Sequence, residues 1–196
     1  MTNNAYDAGV VWNGLTSISE SPDGAEPNDL YADDRKYLTL RSVETFGGTI
    51  EAYTYPDEFA ECDGTAVIAN GVYLGQQTRK AFGLCYRTNV GNDTSDTEDD
   101  GYKLHLVYNC TASPSDKSYE SVNDSPDAIT FSWEFTSTAV SLTVHSDYKD
   151  VSTIVIDSTK CDKDKLAALE KKLYGSGDDT PTLPTPDEVI TMMSAA

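Results

Sequence analysis

The residues along this chain that could do chemistry are two histidines, four cysteines and 33 carboxylates, and their spacing decides what they can do. Zinc needs closely spaced ligand pairs. Cys62, Cys85, Cys110 and Cys161 contain no C-x-x-C pair, and only His105 and His145 could complete a set. Free, packed thiols are the expectation. In the loop 96–101 (DTEDDG), Asp96, Glu98 and Asp100 take the first, third and fifth positions of a calcium loop, with Gly101 at the sixth. The twelfth position, which such loops fill with a bidentate glutamate, is Val107, and no helix flanks the loop. A solvated acidic loop is therefore expected. Asp57 and Glu58 could serve as paired carboxylates of a glycosidase, but in a chain this acidic such a pair discriminates nothing. His105 reads as an ordinary strand residue and His145 as a chance neighbour of Asp147. There is no G-x-S-x-G elbow, no H-E-x-x-H and no phosphate-binding loop. Tyr37, Tyr53, Tyr55, Tyr86, Tyr102 and Tyr108 could form a saccharide platform, although such tyrosines more often cover sheet edges or subunit contacts. No catalysis, cofactor or metal is expected.

Charge narrows the partners. Against 14 basic residues the acids leave a net charge of −19. Tight nucleic-acid binding is driven by lysine and arginine clusters, and anionic membrane surfaces attract the same groups, so both are disfavoured. The start, MTNNAYDAG, has neither a basic region nor an apolar one, which gives the expectation of a chain made and kept in a cytoplasm. The N-x-[ST] triplets at Asn92, Asn109 and Asn123 are then chance matches.

The elements that must position these residues are mostly strands. From Ile129 to Phe135 the chain alternates, with Ile129, Phe131, Trp133 and Phe135 on one side and Thr130, Ser132 and Glu134 on the other. A period of two marks a half-buried strand, and predicts the apolar set in the core. Similar patterns predict strands at 9–18, 36–44, 47–54, 82–90, 102–111, 127–136, 138–144 and 152–157, with a weaker one near 65–69 or 117–121. Turns are expected at Gly47-Gly48, Asn70-Gly71 and Ser125-Pro126-Asp127. One clear helix is predicted over 162–174, where Leu166, Leu169 and Leu173 share a face, Asp162 or Asp164 can cap the start and Gly175 the end. A short helical turn is plausible at 56–61 after Pro56. The fold class is therefore mainly β, a β-sandwich with one flanking α-helix. Residues 1–175 form its domain, and 176–196 a polar linker ending in the apolar residues Val189, Ile190 and Met192. That ending predicts an arm, ordered only when docked on a neighbour.

Five stretches together, 9–22 (GVVWNGLTSISESP), 49–64 (TIEAYTYPDEFAECDG), 82–92 (FGLCYRTNVGN), 101–108 (GYKLHLVY) and 128–135 (AITFSWEF), resemble the major tail tube protein of long-tailed bacteriophages. The resemblance covers roughly residues 6–175. It implies a structural subunit in a virion tail, assembled in the host cytoplasm, forming stacked hexameric rings. Each subunit would lend strands to a continuous β-barrel that lines the lumen. The tube would enclose a tape measure protein, meet tail terminator and distal tail proteins, and pass DNA without binding it specifically; no membrane is involved. The long polar stretch 19–35 matches the loop by which such rings stack, giving Glu20, Asp23, Glu26, Asp29, Leu30, Tyr31, Asp33 and Asp34 as stacking residues. Lumen-facing candidates are Glu51, Thr130, Ser132 and Glu134. The alternative is a β-sandwich binding, adhesion or decoration module of a virion.

Overall fold

The computed structural model of the chain describes residues 6–24, 26–91, 101–119, 128–177 and 179–194. Ten strands and two helices follow in the order β1 (Leu15–Glu20), β2 (Pro27–Ala32), β3 (Arg35–Arg41), β4 (Phe46–Ala52), β5 (Ala66–Ala69), β6 (Val72–Leu74), β7 (Phe82–Asn89), β8 (Tyr102–Ala112), β9 (Phe131–Ser137), β10 (Thr153–Asp157), α1 (Lys163–Tyr174) and α2 (Pro186–Ser194). A short 3-10 turn, Asp57–Glu61, follows Pro56. The fold is mainly β, with curled sheets and two helices. Six strands make one antiparallel sheet in the order β1-β4-β9-β8-β10, with β7 also on β8. β2 with β3, and β5 with β6, form two separate hairpins.

The eleven-residue β8 serves both halves of this sheet. β7 pairs along it from Tyr102 to Cys110, while on its other edge the first half pairs with β10 and the end with β9. The switch occurs at Asn109, whose φ of 49° is one that asparagine tolerates better than most residues. Leu104, Leu106 and Tyr108 pack towards the helices, whereas Cys110 and Ala112 pack on the opposite core with Val107. One left-handed residue has inverted the alternation, as a bulge does. Two cores result. The first gathers Ile50, Ala52, Phe59, Val107, Trp133 and Phe135 inside the curled sheet. The second lies between β8, β10 and the helices.

Leu166, Leu169 and Leu173 are buried in that second core, each burial worth roughly 1.5–3 kcal/mol. The Asp162 carboxylate accepts from the amides of Asp164 and Lys165. The second helix was not expected. Its signature is Thr185-Pro186-Asp187-Glu188: the Thr185 amide donates to the Glu188 carboxylate at 3.0 Å and the Glu188 amide to the Thr185 hydroxyl at 3.4 Å. That is a capping box with proline in the first turn, readable in the sequence.

Other expectations need correction. Gly47 and Gly48 make no turn; they lie inside β4, where a Cβ on Gly48 would sit 2.2 Å from the Ser19 carbonyl oxygen and 2.9 Å from the Phe135 ring. The alternating residues 36–44 join a hairpin with β2 rather than the main sheet. Residues 138–144 form only a bridge between Val140 and Val151, because the amides of Thr143 and Val144 donate to the Asp187 carboxylate instead of a ladder. Ile129 is 45% exposed, apart from its expected companions: β4 ends at Ala52 opposite Phe131, so no strand covers Ile129. The Ser125-Pro126-Asp127 turn and the acidic loop 92–100 lie outside the described residues.

Candidate functional site

Directly opposed residues of an antiparallel ladder point to the same face. β1 sets Ser17 against Glu51 and Ser19 against Thr49, β9 sets Ser132 against Glu51 and Glu134 against Thr49, and Thr111 of β8 meets Thr136. The core side of the same strands carries Ile18, Ile50, Trp133 and Phe135. The outer face is therefore built from serine, threonine and two glutamates, and none of these register positions is a cation. Ser17 donates to the Glu51 carboxylate at 2.8 Å, which fixes one rotamer there. Glu51 and Glu134 are diagonal neighbours, about 7–8 Å apart by sheet geometry. Three of the four lumen candidates thus share one surface, while Thr130 lies ahead of β9, exposed and off the ladder.

The stretch 19–35 divides into three parts. Glu20 ends β1 and belongs to a seam, not a loop: it accepts a hydrogen bond from the Tyr86 hydroxyl and lies 3.4 Å from His105 Nδ1. The Tyr86 and His105 rings stack at 4.7 Å, drawing β1 towards β7. Burial first, and then Glu20, raise the Tyr86 phenol well above its ordinary pKa. Asp23 forms the base of the excursion, exchanging backbone hydrogen bonds with Thr45 at 2.9 and 2.8 Å. Glu26 follows, exposed, just before β2.

The remainder is the β2–β3 hairpin. Its tip is Asp33-Asp34, with φ of 51° and 57°, the pair of positive values a two-residue turn of this type requires. Asp29 bonds Lys36 at 2.8 Å and the Thr39 hydroxyl at 2.6 Å, and the Lys36 ammonium chiefly holds its carboxyl below the usual range. Strands of six and seven residues give the hairpin a reach of about 20 Å. Leu30, Tyr31, Tyr37, Leu38 and Leu40 are all exposed along it. Three acids (Asp29, Asp33, Asp34) and three bases (Arg35, Lys36, Arg41) leave it neutral, in a chain of net charge −19.

The C-terminal residues differ from the expected free arm. Val189 is buried in the second core, and Met192 packs against it. Ile190 is half-buried beside them. Lys172 pairs with Glu188 at 3.1 Å and Lys165 Nζ donates to the Met193 carbonyl at 3.3 Å. The apolar cluster thus docks on its own chain.

The chemical candidates do not converge. Among the described residues no group of three or more His, Cys, Asp or Glu could hold a metal ion. All four cysteines are free, and burial pushes Cys62 up to about 11 and Cys110 up to about 12. The tyrosines form no single platform: Tyr108 is fully buried, Tyr55 packs against the Trp133 core, Tyr86 lies in the seam, and Tyr37 stands on the hairpin. Among the described residues no helix is long and apolar enough to cross a membrane.

What the molecule offers is surface: a cation-free hydroxyl and carboxylate face, and an exposed apolar hairpin. Residues 3–180 match the sequence model of the family described as phage tail tube protein. No curated protein matches the chain. With nearly its whole length inside that match, the chain belongs to the phage tail tube proteins, structural components of the virion tail.

Proposed function

We propose that this chain is the repeating subunit of the tube itself, assembled as stacked hexameric rings. The outer face of β1, β4 and β9 turns to the lumen, and the β2–β3 hairpin reaches the adjacent ring. The tube encloses the tape measure protein, is bounded by terminator and distal tail proteins, and conducts DNA during ejection. The observation that carries this reading is the Ser/Thr/Glu face without a cation. A polyanion binds where lysine and arginine release its counterions, and such a face offers it neither attraction nor a hydrogen-bond donor stronger than a hydroxyl. Repulsion from Glu51 and Glu134 acts within a Debye length of about 8–10 Å, which prevents phosphate contact at the wall without halting transport. Among the described residues, β1, β7 and β10 each pair on one side only. Edges left open in this way favour pairing between neighbours, which a closed ring satisfies.

The test is the double variant Glu51→Lys with Glu134→Lys. It should assemble into tubes of normal width by electron microscopy, yet slow DNA release from reconstituted virions, more so at low salt. Ejection indifferent to both charge reversal and salt would remove this face from the lumen.

A further inference from the structure

Residues 64–78 (GTAVIANGVYLGQQT) contain no charged residue, in a chain of which 24% is charged. At their centre β5 and β6 join through Asn70-Gly71, with Gly71 at φ 76°. Val67 faces Tyr73, Ala66 faces Leu74 and Ala69 faces Val72. Val67, Ile68, Val72, Tyr73 and Leu74 are 46–61% exposed. Together with the β2–β3 hairpin this element carries about half of the exposed large apolar residues among those described.

A lone two-stranded hairpin is marginal in water, so its root matters. The Gln77 amide donates to the Gly64 carbonyl at 2.9 Å and the Thr65 amide to the Ala60 carbonyl at 2.8 Å. Just before the hairpin, buried Asp63 accepts from the Trp133 indole at 3.1 Å and pairs with Lys117 and, at 3.8 Å, with Arg79. One carboxylate thereby ties the root to β9 and to the segments that carry Arg79 and Lys117. The tip is apolar and uncovered, but the stem is fixed. Part of the ordering cost of docking is thus met before contact.

The occupant follows from charge. Each copy of the chain carries −19, so two copies meet at least cost where neither presents net charge. The uncharged hairpin and the neutral β2–β3 hairpin are such places. A basic partner would be drawn instead to the acidic surface, and an uncharged arm gives it nothing to recognise. A stable interface takes about 800 Å² from each partner, more than one short hairpin supplies, so a second element is needed beside β2–β3. The free edges of β5 and β6 can also extend another copy's open edge at β1, β7 or β10. We propose that the β5–β6 hairpin is a second inter-subunit arm, seated on another copy of this chain. The proposal rests on the tube reading above.

Hydrogen exchange on the wild-type chain, as monomer and as tube, tests it without a variant. Amides of 66–74 should slow by at least about tenfold on assembly. In parallel, Val67→Asp with Tyr73→Asp should give a monomer with unchanged circular dichroism that forms no tubes. If wild-type tubes form but 66–74 exchanges as fast in them as in the monomer, or if the folded double variant makes normal tubes, the arm is refuted while the tube reading stands. Wild-type protein that forms no tubes would overturn the tube reading, and the arm with it.

Discussion

Replacing Trp133 with alanine tests the first core most directly. The residue has no exposed surface, and its ring meets Trp12, Tyr55, Phe59 and Phe131 at centroid distances of 5.2–5.6 Å. Truncating such a ring costs about 3–5 kcal/mol, for lost transfer energy and the cavity left behind. For a chain of this length each kcal/mol moves the melting temperature by about 2–4 °C, so the variant should melt about 6–20 °C lower. Trp133→Phe separates packing from hydrogen bonding. It keeps a ring against its neighbours but removes the 3.1 Å donor to Asp63, a bond to a charged group worth about 1.5–3 kcal/mol. Lys117 and Arg79 still pair with that carboxylate, so the phenylalanine variant should lose clearly less than the alanine variant. Urea unfolding at a concentration where no tubes form reads both, because assembly would add apparent stability. An alanine variant within about 1 kcal/mol of wild type would place this face outside the core. Equal losses for phenylalanine and alanine would show that the indole hydrogen bond, not the ring cluster, carries the stability.

Other outcomes rest on particular segments and contacts. Excising residues 28–40 and closing the gap with a short glycine linker should leave a folded monomer, seen by circular dichroism, that forms no tubes by electron microscopy. Native thiol titration at pH 8 should label Cys85 slowly, because its exposed thiol is nevertheless pushed up to about 11, and buried Cys62 and Cys110 only after denaturation. Their raised pKa values mean that the unfolded chain releases protons first, so stability should fall as pH climbs from about 8.5 towards 11, and hold below that range. Asp187 accepts from the Thr143 amide and hydroxyl at 2.8 and 2.6 Å, and chiefly that hydroxyl lowers its pKa. Asp187→Ala should speed hydrogen exchange in α2. In the unsubstituted chain this contribution is complete above a free carboxylate's pKa of about 3.9 and is lost as pH falls through the lower folded value.

The class of fold was legible in the chain, because a period of two and the leucine spacing of 162–174 survive any tertiary arrangement. The sequence also separated Trp133 and Phe135 from Ser132 and Glu134, since successive strand residues cannot share a face. It set the neutrality of the two hairpins within an acidic chain as well. The capping box at Thr185, with Pro186 and Asp187 in the first turn, is legible in the sequence as well. Tertiary structure alone decided the rest. The alternation of 36–44 is satisfied equally by a central sheet or a projecting hairpin, and it is the pairing with β2, above the bridge from Asp23 to Thr45, that takes the segment out of the main sheet. Gly47-Gly48 reads as a turn until β1 and Phe135 close over it. Glu20 is one acid among many until the curl of the sheet brings Tyr86 and His105 to it. Val189 could have gripped a neighbour, but its own second core stood open between β8 and α1. Local patterns record which face a side chain takes; which surface covers that face depends on segments distant in the chain, and no local pattern encodes it.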